Sequence, residues 1–594
     1  MTCREQILSN DYADALVDFR LEPDNPFQNR MSDFCYQNIE NDFGILYIKR
    51  TLLGGFDESD YDYLYIPKCY GLQNAFQVHR RNIQVQDKAD NEEIQVTQLG
   101  RNFDPLPLIS AGILPLQSAP LELTGKGVVI GFIDTGIRYE NEVFRRPDGT
   151  SRILAIWDQT IQTGEPPEGL QYGTEYTREQ INAALISENP RDIVPSTDVD
   201  GHGTAIASVA AGSILGEGQQ FIGAAPDADI VVVKLKTAKP YLKEYYMIPE
   251  AVPAYASSDI WSGIKYLDSF ARTFSRPVVI CLGMGSNQGD HSGTSTSSRY
   301  MNLIANKRSR CFVVCGGNEG NEAHHYEANI ILPAQTNWRD VEIRMGENER
   351  GVMTELWGSP PFDYTVSIKS PSGETIPRIF YRGNRMQSYS FIYDRTRITV
   401  GYSVIEQNSG ETLIVMRFQD PTPGIWTVRV FAEGNSGEAN FHMWLPIKEF
   451  SSSDTYFLSP SPYVTLTVPG MTQGVFTPST YDSKTNGFYT ESGRGYTRTG
   501  RIKPDISAPG VNISTILGTR TGSSYAAALT AGAAAQFLQW AVVEEHDTRV
   551  NTNDIKNYFI YGARRDDDFS YPNREFGYGR LNLAGTFQWL AGLR

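Results

Sequence analysis

Apolar residues follow two different rhythms along this chain. Four short β-branched runs each end in glycine or a charged residue: GVVIGFIDTG at 127–136, IVVVKLK at 230–236, VVICLGMG at 278–285 and CFVVCGGNEG at 311–320. Runs this apolar suit parallel strands buried on both faces. Between them the period lengthens. Ile260, Trp261, Ile264, Leu267, Phe270, Ala271 and Phe274 fall on one face of a helix over 257–274, which Ser257 or Ser258 would cap. Alternating strand and helix predict a doubly wound parallel α/β sheet.

From about 333 to 464 the helical period disappears. Strand-like runs at 364–369, 412–416 and 425–430 are separated by turns such as SPSG at 370–373 and PTPG at 421–424. This is the pattern of an all-β sandwich inserted into the α/β domain. The α/β pattern then resumes and ends in a long apolar helix opening near Ser524. Residues 1–98 read as a small α+β unit, with strands at 45–48 and 63–66 and an extended, exposed tail at 94–98. The expected division is therefore 1–98, 99–334, 335–464 and 465–594, the second and fourth pieces forming one α/β domain.

At 594 residues the chain is long enough for several cores. Its formal charge is −16, from 53 Lys+Arg against 69 Asp+Glu, and no basic block interrupts it. Nucleic acid and anionic membranes are therefore not expected partners. The first twenty residues lack the apolar core of a secretory signal, and no stretch reads as long and apolar enough to span a bilayer. Synthesis in the cytoplasm is the expectation. The six cysteines are Cys3, Cys35, Cys69, Cys281, Cys311 and Cys315. Three lie in strand-like runs, and free thiols in a reducing compartment are expected. Cys311 and Cys315 have no second pair to complete a metal site.

Three positions invite chemistry. Asp134 closes an apolar strand, where open α/β sheets carry their functional groups, although an Asp there also serves as a turn cap. His202 stands between two glycines and is approachable, whereas most lone histidines are structural or solvated. Ser524 falls at the first turn of the small-residue helix. Unpaired N–H groups there can hold an oxyanion, but serine is equally a common helix cap. The order Asp, His, Ser is that of subtilisin, in contrast to other triad folds.

Five blocks now stand in order: IDTG at 133–136, DGHGT at 200–204, GGNEG at 316–320, IKPDISAPG at 502–510 and GSSYAAALTAG at 522–532. Together they resemble the signature blocks of the subtilase family of serine proteases (peptidase family S8). The resemblance implies Ser524 as nucleophile, His202 as general base and Asp134 as the group orienting the imidazole. It implies Asn318 and the Ser524 N–H as oxyanion donors, and Gly283, Met284 and Gly285 as the strand that pairs with an extended protein or peptide substrate. Met284 could equally be core. Ser523 stands where threonine is usual, and the downstream Ala531-Gly532 spacing selects Ser524 over Ser523. The loop at 216–220 lacks the Asn-rich calcium site of secreted subtilisins, so neither metal nor cofactor is implied.

Within the family the organisation is most similar to the clostridial spore-germination subtilisins of the Csp type. That likeness implies an N-terminal prodomain that acts as folding chaperone and inhibitor, an inserted jelly-roll domain, and deposition in the spore. It also implies a spore-cortex lytic zymogen as substrate. Self-cleavage is expected near the extended tail, after Gln98, with Gln95 as the alternative. A second reading is a catalytically idle pseudoprotease serving as a binding or signalling module; such chains lack triad residues, and this one has all three. A third, a metalloenzyme, rests on His324-His325, the closest pair among the histidines. With no HExxH or similar spacing, that pair reads as a solvated loop. The inserted β domain itself reads either as a rigid clamp or as a docking surface.

Overall fold

The computed structural model describes residues 1–18, 35–52, 70–71, 75–78, 103–215, 221–333, 336–382 and 386–592. The expected strand at 63–66, Cys69, the loop at 216–220 and the tail carrying Gln95 and Gln98 lie outside these residues.

A six-stranded sheet forms the centre, in the order Arg310–Val314, Val278–Leu282, Val129–Asp134, Asp229–Lys234, Ile153–Asp158, Thr174–Thr177. The first five run parallel and the last is antiparallel to its neighbour. Every residue of Val129–Asp134 is buried, because helices cover both faces. Ile130 and Phe132 point to a core shared with the helices His202–Ala211 and Ser523–Leu538. Val129 and Ile133 point to a second core, built with Ser257–Thr273 and Thr296–Ala305. The strand's period of two thus divides one apolar run between two layers.

The helix Ser523–Leu538 is buried at every residue, and its small residues explain how. A Cβ added to Gly532 would lie 2.3 Å from the Ala224 Cβ. Continued to Val543, this helix is 21 residues long and, by length and composition, apolar enough to cross a membrane. That corrects the expectation that no stretch passes this test. Its most apolar window is 83% buried inside the fold, as for a core helix that is hydrophobic all round. The helix Ser257–Thr273 has no serine cap: its N-cap is Ala256. Ser258 instead donates to Asp14 Oδ2 at 2.8 Å.

Two antiparallel sheets occupy the stretch from His325 to Phe457. One has six strands, from His325–Leu332 at one edge to Gln387–Ser390 at the other; the second has five. Their inner faces share a core that includes Val341, Ile343, Leu356, Ile414 and Trp426. The strands expected at 364–369, 412–416 and 425–430 are present as Asp363–Lys369, Thr412–Gln419 and Gly424–Glu433. His324 and His325 are not a solvated loop: they are 4% and 1% exposed. The strand His325–Leu332 packs along Gly437–Trp444, a partner more than a hundred residues away that no local pattern reveals.

At the N-terminus, the strands Tyr12–Asp18, Cys35–Glu40, Phe43–Lys49 and Tyr70–Gly71 form a four-stranded sheet. It lies on the helices Ser257–Thr273 and Thr296–Ala305, with Phe43 against Trp261 and Tyr300. Charges cross this interface with partners: Lys239 Nζ reaches Asp14 Oδ1 at 2.6 Å and Arg299 Nε reaches Asp18 Oδ2 at 2.9 Å. Removing one member of such a buried pair typically costs ~3–5 kcal/mol. Cys3 and Cys35 are joined as a disulfide, their Cα atoms 5.0 Å apart, which corrects the expectation of six free thiols. The helix Cys3–Leu8 lies beside the strand Cys35–Glu40, a tertiary juxtaposition without sequence signal. Cys281, Cys311 and Cys315 are free and buried. Burial raises all three thiol pKa values.

Candidate active site

The carboxyl ends of the parallel strands bring three elements together. Val129–Asp134 delivers Asp134, which is fully buried. His202 opens its own helix, after Gly201 at φ 87°, a left-handed turn that glycine makes without strain. His202 Nδ1 lies 2.7 Å from Asp134 Oδ1. The same carboxylate oxygen accepts the Thr135 N–H at 2.8 Å. Its second oxygen, Oδ2, and His202 Nε2 are buried without a hydrogen-bond partner. The imidazole is thus tied on one side and uncommitted on the other.

A second carboxylate fixes this pair. Asp198 is 1% exposed. Its Oδ1 accepts from Thr135 Oγ1 at 2.9 Å and from the Gly201 N–H at 2.8 Å. Its Oδ2 accepts from the Thr204 N–H at 2.8 Å and Thr204 Oγ1 at 2.7 Å. Thr135 Oγ1 in turn accepts the Gly203 N–H at 2.9 Å. Asp198 therefore pins the end of the Asp134 strand to the start of the His202 helix. The sequence marks it only as an acid four residues before His202, farther off than Asp200.

Ser524 sits in the first turn of Ser523–Leu538 and is 1% exposed. Its hydroxyl donates to the Gly283 carbonyl at 3.0 Å. Gly283 is the meeting point of the three groups. A Cβ placed on it would lie 3.0 Å from both Asp134 Oδ2 and His202 Cε1. Ser523 has other work: its Oγ accepts the Gly317 N–H at 3.1 Å and its N–H donates to Asn318 Oδ1 at 3.0 Å. That bond fixes the Asn318 amide through its oxygen and leaves Nδ2 to donate elsewhere. Two adjacent serines, indistinguishable by composition, thus occupy different positions: one braces the Asn318 loop, the other stands beside Gly283.

The strand Met284–Gly285 pairs antiparallel with Ala75–Val78, Met284 opposite Val78 and Gly285 opposite Gln77. Ala75–Val78 pairs on its other side with Tyr255–Ala256. An extended piece of this chain's own N-terminal region therefore fills a slot between two strand edges. It lies upstream of the 94–98 tail expected there. Main-chain pairing tolerates most side chains, so neither apolarity nor alternation picks out the segment that fills the slot. Met284 offers backbone only; its side chain is fully buried in the core shared with the N-terminal sheet.

A family model described as the subtilase family matches residues 125–354 and 383–579. The Arabidopsis thaliana subtilisin-like protease SBT3.6 is 25% identical over 226 residues, 32% of this chain and 29% of that protein. SBT3.5 of the same plant is 33% identical over 220 residues, 34% of this chain and 26% of that protein. The chain thus spans under a third of the length of these two plant proteins. Among solved structures, the Clostridium perfringens CspB protease is 28% identical with a TM-score of 0.72, covering 82% of this chain and 98% of that one.

Proposed function

The chain belongs to the subtilase family, and from that premise we propose that it is a serine endopeptidase acting through an acyl-enzyme at Ser524. The observation that carries this reading is the convergence on Gly283 of a buried Asp134–His202 pair and the Ser524 hydroxyl. To react, Ser524 Oγ turns from the Gly283 carbonyl to the substrate carbonyl carbon, and His202 Nε2 takes its proton. Asp134 holds the Nδ1 tautomer and stabilises the imidazolium. Asn318 Nδ2 and the Ser524 N–H hold the tetrahedral oxyanion. Collapse breaks the peptide bond as His202 protonates the leaving amine; water, deprotonated by His202, then releases the acid and restores the serine.

Residues 1–98 we read as a self-processed prodomain that remains as inhibitor, and 335–464 as a jelly-roll-like insertion between the two parts of the catalytic domain, 99–334 and 465–594. Support for the prodomain comes from the strand Ala75–Val78 in the slot beside Gly285 and from the paired charges under the N-terminal sheet. The cut would fall C-terminal to that strand, after Gln98 or alternatively Gln95. The overall likeness to the CspB protease leads us to propose deposition in the spore and activation of a cortex-lytic zymogen during germination. Intact mass and N-terminal sequencing of wild type beside Ser524→Ala test the processing. A wild type shortened between Val78 and Phe103 with an uncut variant supports it; equal cutting of both assigns the processing to another protease.

A further inference from the structure

The strand His325–Leu332 leaves the Asn318 loop and enters the six-stranded sheet. Its partner there, Gly437–Trp444, places His442 directly opposite Glu327 and Trp444 opposite His325. Residues two apart on a strand share a face, so His325, Glu327 and His442 come together on one side of the sheet. His325 Nε2 lies 2.9 Å from His442 Nδ1. Glu327 Oε2 lies 3.8 Å from the same nitrogen. One ligand atom from each of the three residues falls within 4.8 Å of the others.

The surroundings hold these groups ready. His325 and His442 are 1% and 4% exposed. Both rings stack on the Trp444 indole, with centroids at 4.7 and 5.4 Å and interplanar angles of 20° and 9°. Ser461 Oγ donates to Glu327 Oε1 at 2.9 Å, leaving Oε2 for the histidines. An imidazole binds metal through an unprotonated ring nitrogen. Across their facing nitrogens only one proton fits. The Glu327 side chain is 35% exposed, which gives the grouping an opening to solvent.

We propose that His325, Glu327 and His442 bind one divalent transition-metal ion, Zn²⁺ by ligand chemistry, at the root of the inserted sandwich. Zn–N and Zn–O bonds of about 2.0–2.1 Å give a tetrahedral edge of about 3.3 Å. The observed 2.9 and 3.8 Å separations straddle that value. Two imidazoles and one carboxylate suit Zn²⁺, while Ca²⁺ and Mg²⁺ favour oxygen-only shells. Binding would move the proton between the two histidines to the far nitrogen of the ring that carries it, and a water would complete the shell on the open side of Glu327. The ion would tie the first strand of the sandwich, His325–Leu332, to its next-to-last, Gly437–Trp444. This proposal does not depend on the protease reading.

The experiment uses the full chain, stripped with chelator and titrated with ZnCl₂ against a chromophoric competitor, with CaCl₂ as control. Wild type should take up one Zn²⁺ and melt at a higher temperature with it. Co²⁺ in its place should give the visible bands of a tetrahedral ion. Glu327→Gln and His442→Asn should each weaken Zn²⁺ binding by about tenfold or more and abolish the thermal shift. His442 is buried and its variant can fail to fold, but Glu327 is partly exposed and its variant remains informative. Zn²⁺ uptake unchanged in Glu327→Gln would place the ion elsewhere, for example at His202, and overturn the proposal. So would a wild type that binds Zn²⁺ no better than Ca²⁺, leaving only a hydrogen bond between two neutral histidines.

Discussion

Two groupings of histidine and carboxylate among the described residues bear comparison: Asp134–His202 at the ends of parallel strands, and His325–His442 with the partly exposed Glu327 between antiparallel strands. At the first, Asp134 and His202 come from different elements, Asp134 at a strand end two residues before Gly136 and His202 at a helix start between two glycines. At the second, His325 and His442 meet only because the strands His325–Leu332 and Gly437–Trp444, more than a hundred residues apart, pair in one register. The two sites also differ in what their histidines lack. His202 Nε2 is buried without a partner, which suits a base awaiting a proton. The facing nitrogens of His325 and His442 satisfy each other, which suits a structural contact or a metal. A histidine's use is set by the group left uncommitted beside it, not by burial alone.

The largest effect expected from perturbing the first site is that of Ser524→Ala. It should lower kcat by roughly 10⁶, the scale seen when a subtilisin loses its nucleophile. Ser523→Ala should stay within about tenfold of wild type, since Ser523 only braces the Asn318 loop; equal losses in steady-state peptide hydrolysis would erase the distinction drawn between the two serines. Asn318→Ala should lower kcat by about 10²–10³ with little change in KM. Asp198→Asn should lower kcat by about 10–10², because it loosens the alignment of Asp134 and His202 without removing either. The pH profile of kcat/KM should move with it; an unchanged profile with reduced stability alone would make Asp198 merely structural.

The smallest effect lies in the two-sheet stretch from His325 to Phe457 and concerns stability. Burial, helped by nearby Asp290 and Glu406, pushes the Glu355 carboxyl up to about 7 from 4.5, against the hydrogen bonds from the Gly289 and Trp357 N–H groups. Between these values the folded state binds more protons than the unfolded one, so the group's contribution to stability falls as pH rises from 4.5 to about 7. Glu355→Gln, which keeps an acceptor for both N–H groups, should therefore stabilise by about 3 kcal/mol at pH 8 and by almost nothing at pH 4. Melting curves at the two pH values decide this; a shift of equal size at both would rule out titration as its source.

What could be read from the sequence follows the same divide. The parallel sheet, the His202 and Ser524 helices and the strands at 364–369, 412–416 and 425–430 were legible, because each is written in local apolar periodicity and in the residues that end it. Asp134, His202 and Ser524 drew attention in the sequence because one closes an apolar strand and two open helices, whereas Asn318 was named only through the family resemblance. The Cys3–Cys35 bond, the buried state of His324 and His325, the role of Asp198 and the Ala75–Val78 strand were not. Each depends on a partner far along the chain or on main-chain pairing that side chains scarcely encode. Ser257 and Ser258 carried a capping signal that tertiary structure overrode: Ser258 serves Asp14 on the N-terminal sheet instead.

Covalent labelling with a fluorophosphonate probe, followed by peptide mapping, tests the central claim most directly. With the N-terminal unit cut away from both wild type and Ser524→Ala by an added protease, the account predicts stoichiometric modification at Ser524 and none in Ser524→Ala. A processed, folded chain that takes no label, or one labelled at Ser523, would contradict it, the first outcome favouring a catalytically idle binding module.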